Sequence, residues 1–286
     1  MTATDPVGSS RHQQQPRVAS SPDDVYRRYI QPFTMPSAIA LVDALHLEGS
    51  EYVLDHGAGT GLVTRLLLAR YPSLRVMALD PSADLLHGLS VGRLPAKAKV
   101  EKRCSTTEEL HADLVASGAS GAHDTPPFDA VVSNYSLQFC GDTVEELKRI
   151  RSLCRRGATG SFAVLGQADE VVPFHLYWSA VHGVVPGAAT PSDYVHHKLG
   201  DPGLLVGAAA AAGWVEIDVV SEVCFRRMSA EGAWEWLSRV LPTSIDGAYR
   251  LLSRIERRAV RSRFLPSWPA GHDVPTTYHR LTARCP

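Results

Sequence analysis

Three glycines and two aspartates stand at spacings that suit the binding of a small ligand. Residues 53–61 read Val-Leu-Asp-His-Gly-Ala-Gly-Thr-Gly, and a second apolar run, residues 76–79, ends in Asp80. Glycines between a short apolar run and an amphipathic stretch predict a strand, a tight turn and a helix whose backbone approaches a ligand closely. A carboxylate at the tip of the next strand can accept hydrogen bonds from both hydroxyls of a ribose.

The spacing of the glycines also separates one class of nucleotide from another. A dinucleotide fingerprint needs G-x-G-x-x-G, but counting from Gly57 puts Leu62 at the third glycine, and counting from Gly59 puts Thr64 there. The pattern therefore argues against a pyrophosphate ligand. The alternative that binds nothing is a glycine-rich turn between a strand and a helix, and the flanking Asp55 and Asp80 argue against it.

Composition excludes several classes of partner. The 286 residues carry a formal charge of −1 and are 44% hydrophobic, which suits one large α/β domain and disfavours nucleic acid or a membrane surface. The five cysteines form no C-x-x-C pair and no metal-ligand spacing, so we expect no metal and a reduced, cytoplasmic setting. Residues 1–22 are polar and are expected to be a disordered tail without a signal sequence.

Strand and helix patterns alternate along the chain, which predicts a mostly parallel sheet. Helical spacing from Asp23 to Leu47, with Pro22 and Pro36 as punctuation, predicts two helices before the first strand. The later strands are expected at the segments 75–80, 99–104, 128–134, 160–165, 214–224 and 276–284, with the last two antiparallel.

The motifs together resemble those of the class I S-adenosylmethionine (SAM) dependent methyltransferases. Residues 53–61 and Asp80 are similar to motifs I and II, and residues 128–139, Phe-Asp-Ala-Val-Val-Ser-Asn-Tyr-Ser-Leu-Gln-Phe, to motif IV of the branch that includes ubiquinone and menaquinone biosynthesis enzymes. The resemblance implies a Rossmann-like, seven-stranded, mostly parallel sheet with helices on both faces. It places the domain at residues 23–286, with a substrate lid built from about 23–48, 168–200 and 229–272.

The resemblance also implies roles for individual residues toward SAM, with S-adenosylhomocysteine as product. Asp55 would anchor the loop and the SAM ammonium group, and Asp80 would bind the ribose. Thr106 stands where the family usually has an Asp that meets the adenine, which weakens that contact. His56, at a position that varies in the family, is expected to pack and not to catalyse. The full set of expected cofactor residues is Asp55, Gly57, Ala58, Gly59, Asp80, Pro81, Thr106, Thr107, Asn134 and Tyr135.

Candidates for catalysis and for the acceptor site are less constrained by the sequence. His175 follows the fifth predicted strand and is a candidate general base, against the alternative of a partly buried or solvent-facing histidine. Tyr135 is a candidate positioning residue. The candidate substrate residues are Tyr26, Tyr29, Phe33, Gln138, Trp178 and Trp236. The first three form one aromatic helix face, which suits a core as well as a lid. An arginine-rich helix face opposite Ile255 suits solvent, or else an acidic substrate or partner.

Three functions stay open. The first is transfer of a methyl group from SAM to an O, N or C atom of a small, partly apolar molecule, as in secondary metabolism, by in-line displacement. The second is a SAM-binding enzyme with a non-methylating reaction such as a cyclisation, and the third is a non-catalytic SAM-binding protein. A nucleic-acid methyltransferase is disfavoured because residues 134–137, Asn-Tyr-Ser-Leu, lack the Pro-Pro-aromatic element of enzymes that methylate base amino groups.

Overall fold

A central sheet of seven strands organises the computed structural model, in the order β3-β2-β1-β4-β5-β7-β6. The structure describes residues 30–90, 98–116, 128–187, 195–244, 252–269, 271 and 273–286, with the backbone alone for residues 239–244. Tyr26, Tyr29 and the predicted tail lie outside the described residues. The strands are β1 Tyr52–His56, β2 Arg75–Asp80, β3 Lys99–Cys104, β4 Phe128–Asn134, β5 Cys154–Leu165, β6 Val215–Arg226 and β7 Val274–Arg284.

The predicted Rossmann-like, mostly parallel sheet is confirmed, with one correction to strand direction. Strands β1 to β5 pair in parallel, and β7 pairs antiparallel with both β5 and β6. Because β6 is antiparallel to β7, it runs in the same direction as β1 to β5, so only β7 is reversed. Strand β5 begins at Cys154, earlier than predicted, and its register shifts between Phe128 and Ala130 of β4.

Helices connect the strands and cover both faces of the sheet. They are α1 Gln31–Ala44, α2 Leu62–Arg70, α3 Ala83–Gly88, α4 Thr107–Ala116, α5 Thr143–Ser152, α6 Val172–His182, α7 Pro202–Ala211, α8 Ala230–Ser244 and α9 Arg254–Ser267, with short 3-10 turns at Leu137–Phe139 and Val195–His197. Among the described residues no helix is long and apolar enough to cross a membrane.

Helix α1 corrects the prediction that Pro36 separates two helices. The described part of this segment is one continuous helix with Pro36 inside it. A proline in a helix removes one backbone hydrogen bond, but the residues that follow it, Ala38, Leu41 and Val42, are almost fully buried. Burial of this apolar stripe on the sheet outweighs the lost bond.

Adjacent residues of one strand pack into two different cores on opposite sides of the sheet. Leu54 packs with Leu147 and Leu205 on one side, whereas Val53 packs with Leu41 and Leu67 on the other. A third core cluster, rich in tryptophan, tyrosine and phenylalanine, lies where helices α6, α8 and α9 meet. The prediction that Ile255 lies on the apolar side of the arginine-rich helix α9 is wrong, since Ile255 is 80% exposed. Val260 and Phe264 face this cluster instead.

Candidate active site

The glycine loop after β1 is held in a left-handed conformation by three glycines. Gly57, Gly59 and Gly61 have φ values of 68°, 53° and 80°. These values lie in the left-handed region, which is unfavourable for residues that carry a side chain. The N–H groups of Gly57 and Ala58 both donate to the carbonyl of Leu79, at 2.8 and 3.0 Å. The loop therefore lies directly over the end of β2.

Asp55 closes the loop from below. Its Oδ2 accepts hydrogen bonds from the backbone N–H of Thr64 at 2.9 Å and from the Thr64 hydroxyl at 2.5 Å. The side chain is 1% exposed. Burial raises the pKa of Asp55 to about 6, and the two bonds from Thr64 oppose that rise. In this structure the residue ties β1 to helix α2.

Asp80 is the second carboxylate of the loop, at the tip of β2. Its Oδ2 accepts from the N–H of Gly59 at 2.8 Å, and its Oδ1 accepts from the N–H of Ser82 at 2.8 Å. Each carboxylate oxygen has a further lone pair. The Ser82 side chain in turn caps helix α3 by accepting from Leu85 N. The carboxylate of Asp80, the residue predicted to bind the ribose, is thus held in a fixed orientation.

A cavity of about 330 Å³ opens beside this loop, at the carboxyl ends of the first four strands. This volume is within the range of about 300–1,000 Å³ that small-molecule sites occupy. The sheet order reverses between β1 and β4, and such a switch point is where open α/β sheets bind ligands. The walls include Gly57, Pro81, Ser105, Thr106, Thr107, Ser136 and Phe139.

Thr106 contributes less to this cavity than its position in the sequence suggests. Its hydroxyl and Glu109 cap helix α4 reciprocally: Glu109 N donates to the hydroxyl at 3.1 Å, and Glu109 Oε2 accepts from Thr106 N at 2.8 Å. A T-x-x-E pattern just before an amphipathic stretch is the signal in the sequence that could have predicted this cap. Thr107 is 3% exposed and hydrogen-bonds Glu146.

His56 takes part in a polar network that sequence reasoning also missed. It is 5% exposed, its Nδ1 lies 3.0 Å from Ser133 Oγ, and its Nε2 lies 2.9 Å from Glu146 Oε1. Burial acts to raise the pKa of Glu146, but the hydrogen bonds of His56 and Thr107 and the charges of His56 and Arg149 together outweigh it, so that pKa lies below its ordinary value. The pair joins β1 to helix α5. His56, Glu146 and Cys140 place their ligand atoms within 4.8 Å of one another.

Helix α1 covers the glycine loop from the other side. Asn134, at the end of β4, accepts from the Ser37 hydroxyl at 2.8 Å and donates to the Thr34 carbonyl at 3.2 Å. Gln31 Nε2 donates to Thr60 Oγ1 of the loop itself at 3.2 Å. The motif IV residue Asn134 therefore holds the covering helix, a role its position in the sequence does not reveal.

Tyr135 has a backbone conformation that is rare for a bulky residue. Its φ is 55°, and its side chain shares a hydrogen bond with Ser37. Burial raises the pKa of the Tyr135 hydroxyl above its ordinary value. Its ring lies 6.3 Å from that of Phe33. Backbone conformations of this kind concentrate at functional sites, and the positioning role of Tyr135 stays a prediction.

Three of the expected lid segments meet in an aromatic cluster. The Phe33 ring lies 5.5 Å from Phe174 and 5.1 Å from Trp236, and Phe174 lies 6.0 Å from Trp236. Phe33 comes from α1, Phe174 from α6 and Trp236 from α8. We call these three residues the aromatic cluster. It lies next to Tyr135 and so adjoins the end of β4.

The other predicted substrate residues occupy different surroundings. Gln138 is 1% exposed, and its Oε1 has no hydrogen-bond partner among the described residues. Trp178 is 1% exposed and packs edge-on against Tyr177 in the helix α6 core. His175 is half-buried on the same helix, next to Phe174. Its role as a base stays a prediction.

The residues around the loop fit an adenosine-type ligand. Asp80 offers free lone pairs beside glycine backbone, and the cavity beyond it joins apolar surface from Pro81 and Phe139 to hydroxyls of Ser105 and Thr107. Such walls suit a flat heterocycle with hydrogen-bonding edges. No phosphate-binding group is required, in agreement with the spacing of the glycines.

Comparison with known proteins agrees with this geometry. A family model described as "Methyltransferase domain" matches residues 54–159, the segment from β1 through β5. These residues therefore resemble a methyltransferase domain. A solved structure assigned as a methyltransferase from an antibiotic biosynthesis pathway of Anabaena variabilis covers 87% of this chain and 97% of its own, with a TM-score of 0.58 and 13% identity. That likeness concerns the fold.

Relatives in sequence match the methyltransferase domain over part of their length. An uncharacterized methyltransferase of Mycobacterium tuberculosis is 34% identical over 42% of this chain and 53% of its own. A trans-aconitate 2-methyltransferase of Paracidovorax citrulli is 34% identical over 57% of this chain and 56% of its own. A malonyl-[acyl-carrier protein] O-methyltransferase of Salmonella typhimurium is 29% identical over 57% and 58%. The matches thus span little more than half of these relatives.

Proposed function

We propose that the protein binds SAM in the cavity beside the glycine loop and transfers its methyl group to a small, partly apolar molecule. The observation that carries this proposal is the clasp between Asp80 and Gly59, which holds a carboxylate with free lone pairs over a left-handed glycine loop at the switch point of the sheet. The methyltransferase-domain match over the same residues supports it.

The acceptor atom that we favour is an oxygen of a carboxylic acid. Two of the relatives are named for acids, trans-aconitate and a malonyl group, and the second is named as an O-methyltransferase. A carboxylate is already deprotonated at neutral pH, so its attack needs no general base. If the acceptor were instead a hydroxyl or an amine, a base such as His175 would be needed.

The residues of the site would act by alignment. Asp80 would bind the ribose, Pro81 and Thr107 would border the adenine, and Asp55 would keep the loop rigid. When bound, SAM supplies an electrophilic methyl on a sulfonium: the acceptor oxygen forms a bond to carbon while the carbon–sulfur bond breaks, leaving S-adenosylhomocysteine. Alignment of the reacting atoms can contribute about 7–11 kcal/mol to lowering such a barrier. Tyr135 and Asn134 stand beside this reaction path in the proposal.

Titration of the purified protein with SAM and with S-adenosylhomocysteine tests the cofactor site. We expect micromolar binding of both, and we expect Asp80→Asn to weaken binding about 10–100-fold, because hydrogen bonds to a charged group contribute ~1.5–3 kcal/mol. Asp43→Asn, at an exposed position of α1, is the control for charge. Unchanged affinity in a folded Asp80→Asn protein would remove Asp80 from the site.

Formation of S-adenosylhomocysteine separates the proposal from its alternatives. Incubation with SAM and a panel of carboxylic acids should yield methyl esters together with S-adenosylhomocysteine, detected by mass spectrometry. Binding of SAM without this product would favour the non-methylating or non-catalytic alternatives. Action in the cytoplasm and in secondary metabolism remains a prediction from the sequence.

A further inference from the structure

An arginine stands against the aromatic cluster. Arg226, the last residue of β6, has its guanidinium carbon 5.5 Å from the Phe33 ring centre and 5.4 Å from that of Trp236. The planar cation therefore contacts two of the three rings that border Tyr135. The attraction between a cation and the faces of aromatic rings holds the guanidinium in place.

The charge of Arg226 lacks a carboxylate partner among the described residues. Glu222, on the same side of β6, accepts from the Tyr278 hydroxyl at 2.5 Å and from Arg280 Nε at 3.2 Å. Burial lowers the pKa of Arg226 from its ordinary value, and the opposing effect of the nearby Cys224 is smaller. A half-buried cation without an anion is costly unless a ligand supplies one.

A second unpaired donor belongs to the same ring system. Trp236 is 1% exposed, and its indole Nε1 has no hydrogen-bond partner among the described residues. Trp268, in the same core, donates its indole N–H to the Met228 carbonyl at 3.0 Å, as buried tryptophans usually do. By contrast, the indole N–H of Trp236 can still donate a hydrogen bond to a ligand.

An anion that only accepts hydrogen bonds and carries an apolar body would satisfy these groups together. A carboxylate has one negative charge to match the one guanidinium, whereas a phosphate dianion would leave charge unbalanced in an aromatic environment. We propose that Arg226 and Trp236 form a subsite that binds a carboxylate group of the methyl acceptor, with Phe33 and Phe174 against its apolar part.

The subsite lies beside the proposed reaction centre. Phe33 contacts Tyr135, which directly follows β4 and the cofactor-side residue Asn134. This inference rests on the proposed function for its biological meaning and names the substrate class of the same site. The contact orients the acceptor, whichever of its atoms receives the methyl group.

Titration calorimetry with octanoate and octanamide, on protein saturated with S-adenosylhomocysteine, tests the subsite. The two probes match in length and differ in charge. We expect octanoate to bind about tenfold or more tightly than octanamide, because hydrogen bonds to charged groups contribute ~1.5–3 kcal/mol. In Arg226→Gln that preference should disappear. In Arg226→Lys part of it should remain, because the charge stays but the planar fork is lost.

Matched variants separate the subsite from general effects. Arg227→Gln changes the next residue, which is 73% exposed and paired with Asp273, and should leave the preference for octanoate unchanged. Trp236→Phe keeps an aromatic wall but removes the N–H, and should reduce octanoate affinity by several-fold. Trp268→Phe, the control, should not. Equal binding of the two probes by the wild-type protein, or an intact preference in both folded Arg226 variants, would overturn the proposal.

Failure of this inference is distinguishable from failure of the proposed function. Affinity for S-adenosylhomocysteine, measured in each variant, should stay within about twofold of wild type because Arg226 lies outside the cofactor residues. Methyl transfer to neutral acceptors that is indifferent to Arg226→Gln would refute the subsite alone. A preference for octanoate that depends on Arg226, without methyl transfer to any acid, would uphold the subsite and refute the proposed activity.

Discussion

The glycine loop and the aromatic cluster are built in opposite ways, although they adjoin at Tyr135. The loop, with Asp55 and Asp80, comes from the 26 consecutive residues 55–80, and backbone N–H groups and carboxylates hold it together. The cluster joins Phe33, Phe174 and Trp236 from distant parts of the chain by ring packing. A short contiguous motif can specify a cofactor site, whereas an acceptor site drawn from separate segments can vary without disturbing it.

Gly57→Ala should have the largest effect, and it tests whether the loop tolerates any side chain. A Cβ at Gly57 would lie 2.1 Å from Ser136 Oγ and 2.3 Å from Ser136 Cβ, at a φ of +68°. Strain at positive φ and overpacking each cost about 1–3 kcal/mol. We therefore expect a loss of about 2–6 kcal/mol in the free energy of unfolding, measured with urea, and loss of SAM binding.

Gly157→Ala is the matched control. Its φ is +80°, but nothing lies within 4 Å of a Cβ there. It should cost only the backbone strain and leave SAM binding intact. A Gly57→Ala effect no larger than that of Gly157→Ala would contradict the tight packing of Gly57 on Ser136. Gly57→Ala combined with Ser136→Gly should recover part of the loss.

Asp55→Asn tests whether the buried carboxylate of the glycine loop makes stability depend on pH. The pKa of Asp55 is about 6 in the folded protein, above its ordinary value of 3.8. A raised pKa means that this group's contribution to stability is complete below pH 3.8 and is lost as the pH rises through about 6. Between pH 4 and pH 7 the wild-type protein should therefore lose about 2–3 kcal/mol relative to Asp55→Asn. Urea unfolding at a series of pH values measures the difference; a flat profile would count against the raised pKa.

Phe33→Leu should have the smallest effect of these substitutions. A large effect on cofactor binding would contradict the separation of the glycine loop from the aromatic cluster. Loss of its ring contacts should cost about 0.5–1.5 kcal/mol of stability. Affinity for S-adenosylhomocysteine should stay within about twofold of wild type, and the KM for an acid acceptor should rise. Val115→Leu, at a half-exposed position of α4, provides a control for surface substitution. A collapse of cofactor affinity in Phe33→Leu would show that the two regions are one cooperative unit.

The sequence predicted the parts of this protein that depend on neighbouring residues. Strands β2, β3 and β4 have the expected bounds because their apolar runs alternate with clear turn signals. Pro36 misled because burial of α1 is a tertiary effect, which the local rule for proline omits. The direction of the edge strand β6 was also predicted wrongly, since it depends on the pairing of β6 with β7 across the sheet.

Within the candidate site, the sequence by itself determined which residues carry the chemistry of the loop: glycines that reach positive φ, and carboxylates at strand ends. Only the tertiary structure decided that His56 pairs with Glu146, 90 residues away, and that Asn134 holds helix α1. It alone brought Arg226 against Phe33 and Trp236. The physical reason is that backbone conformation follows local residue type, whereas a contact between distant side chains exists only after the sheet and its helices have packed.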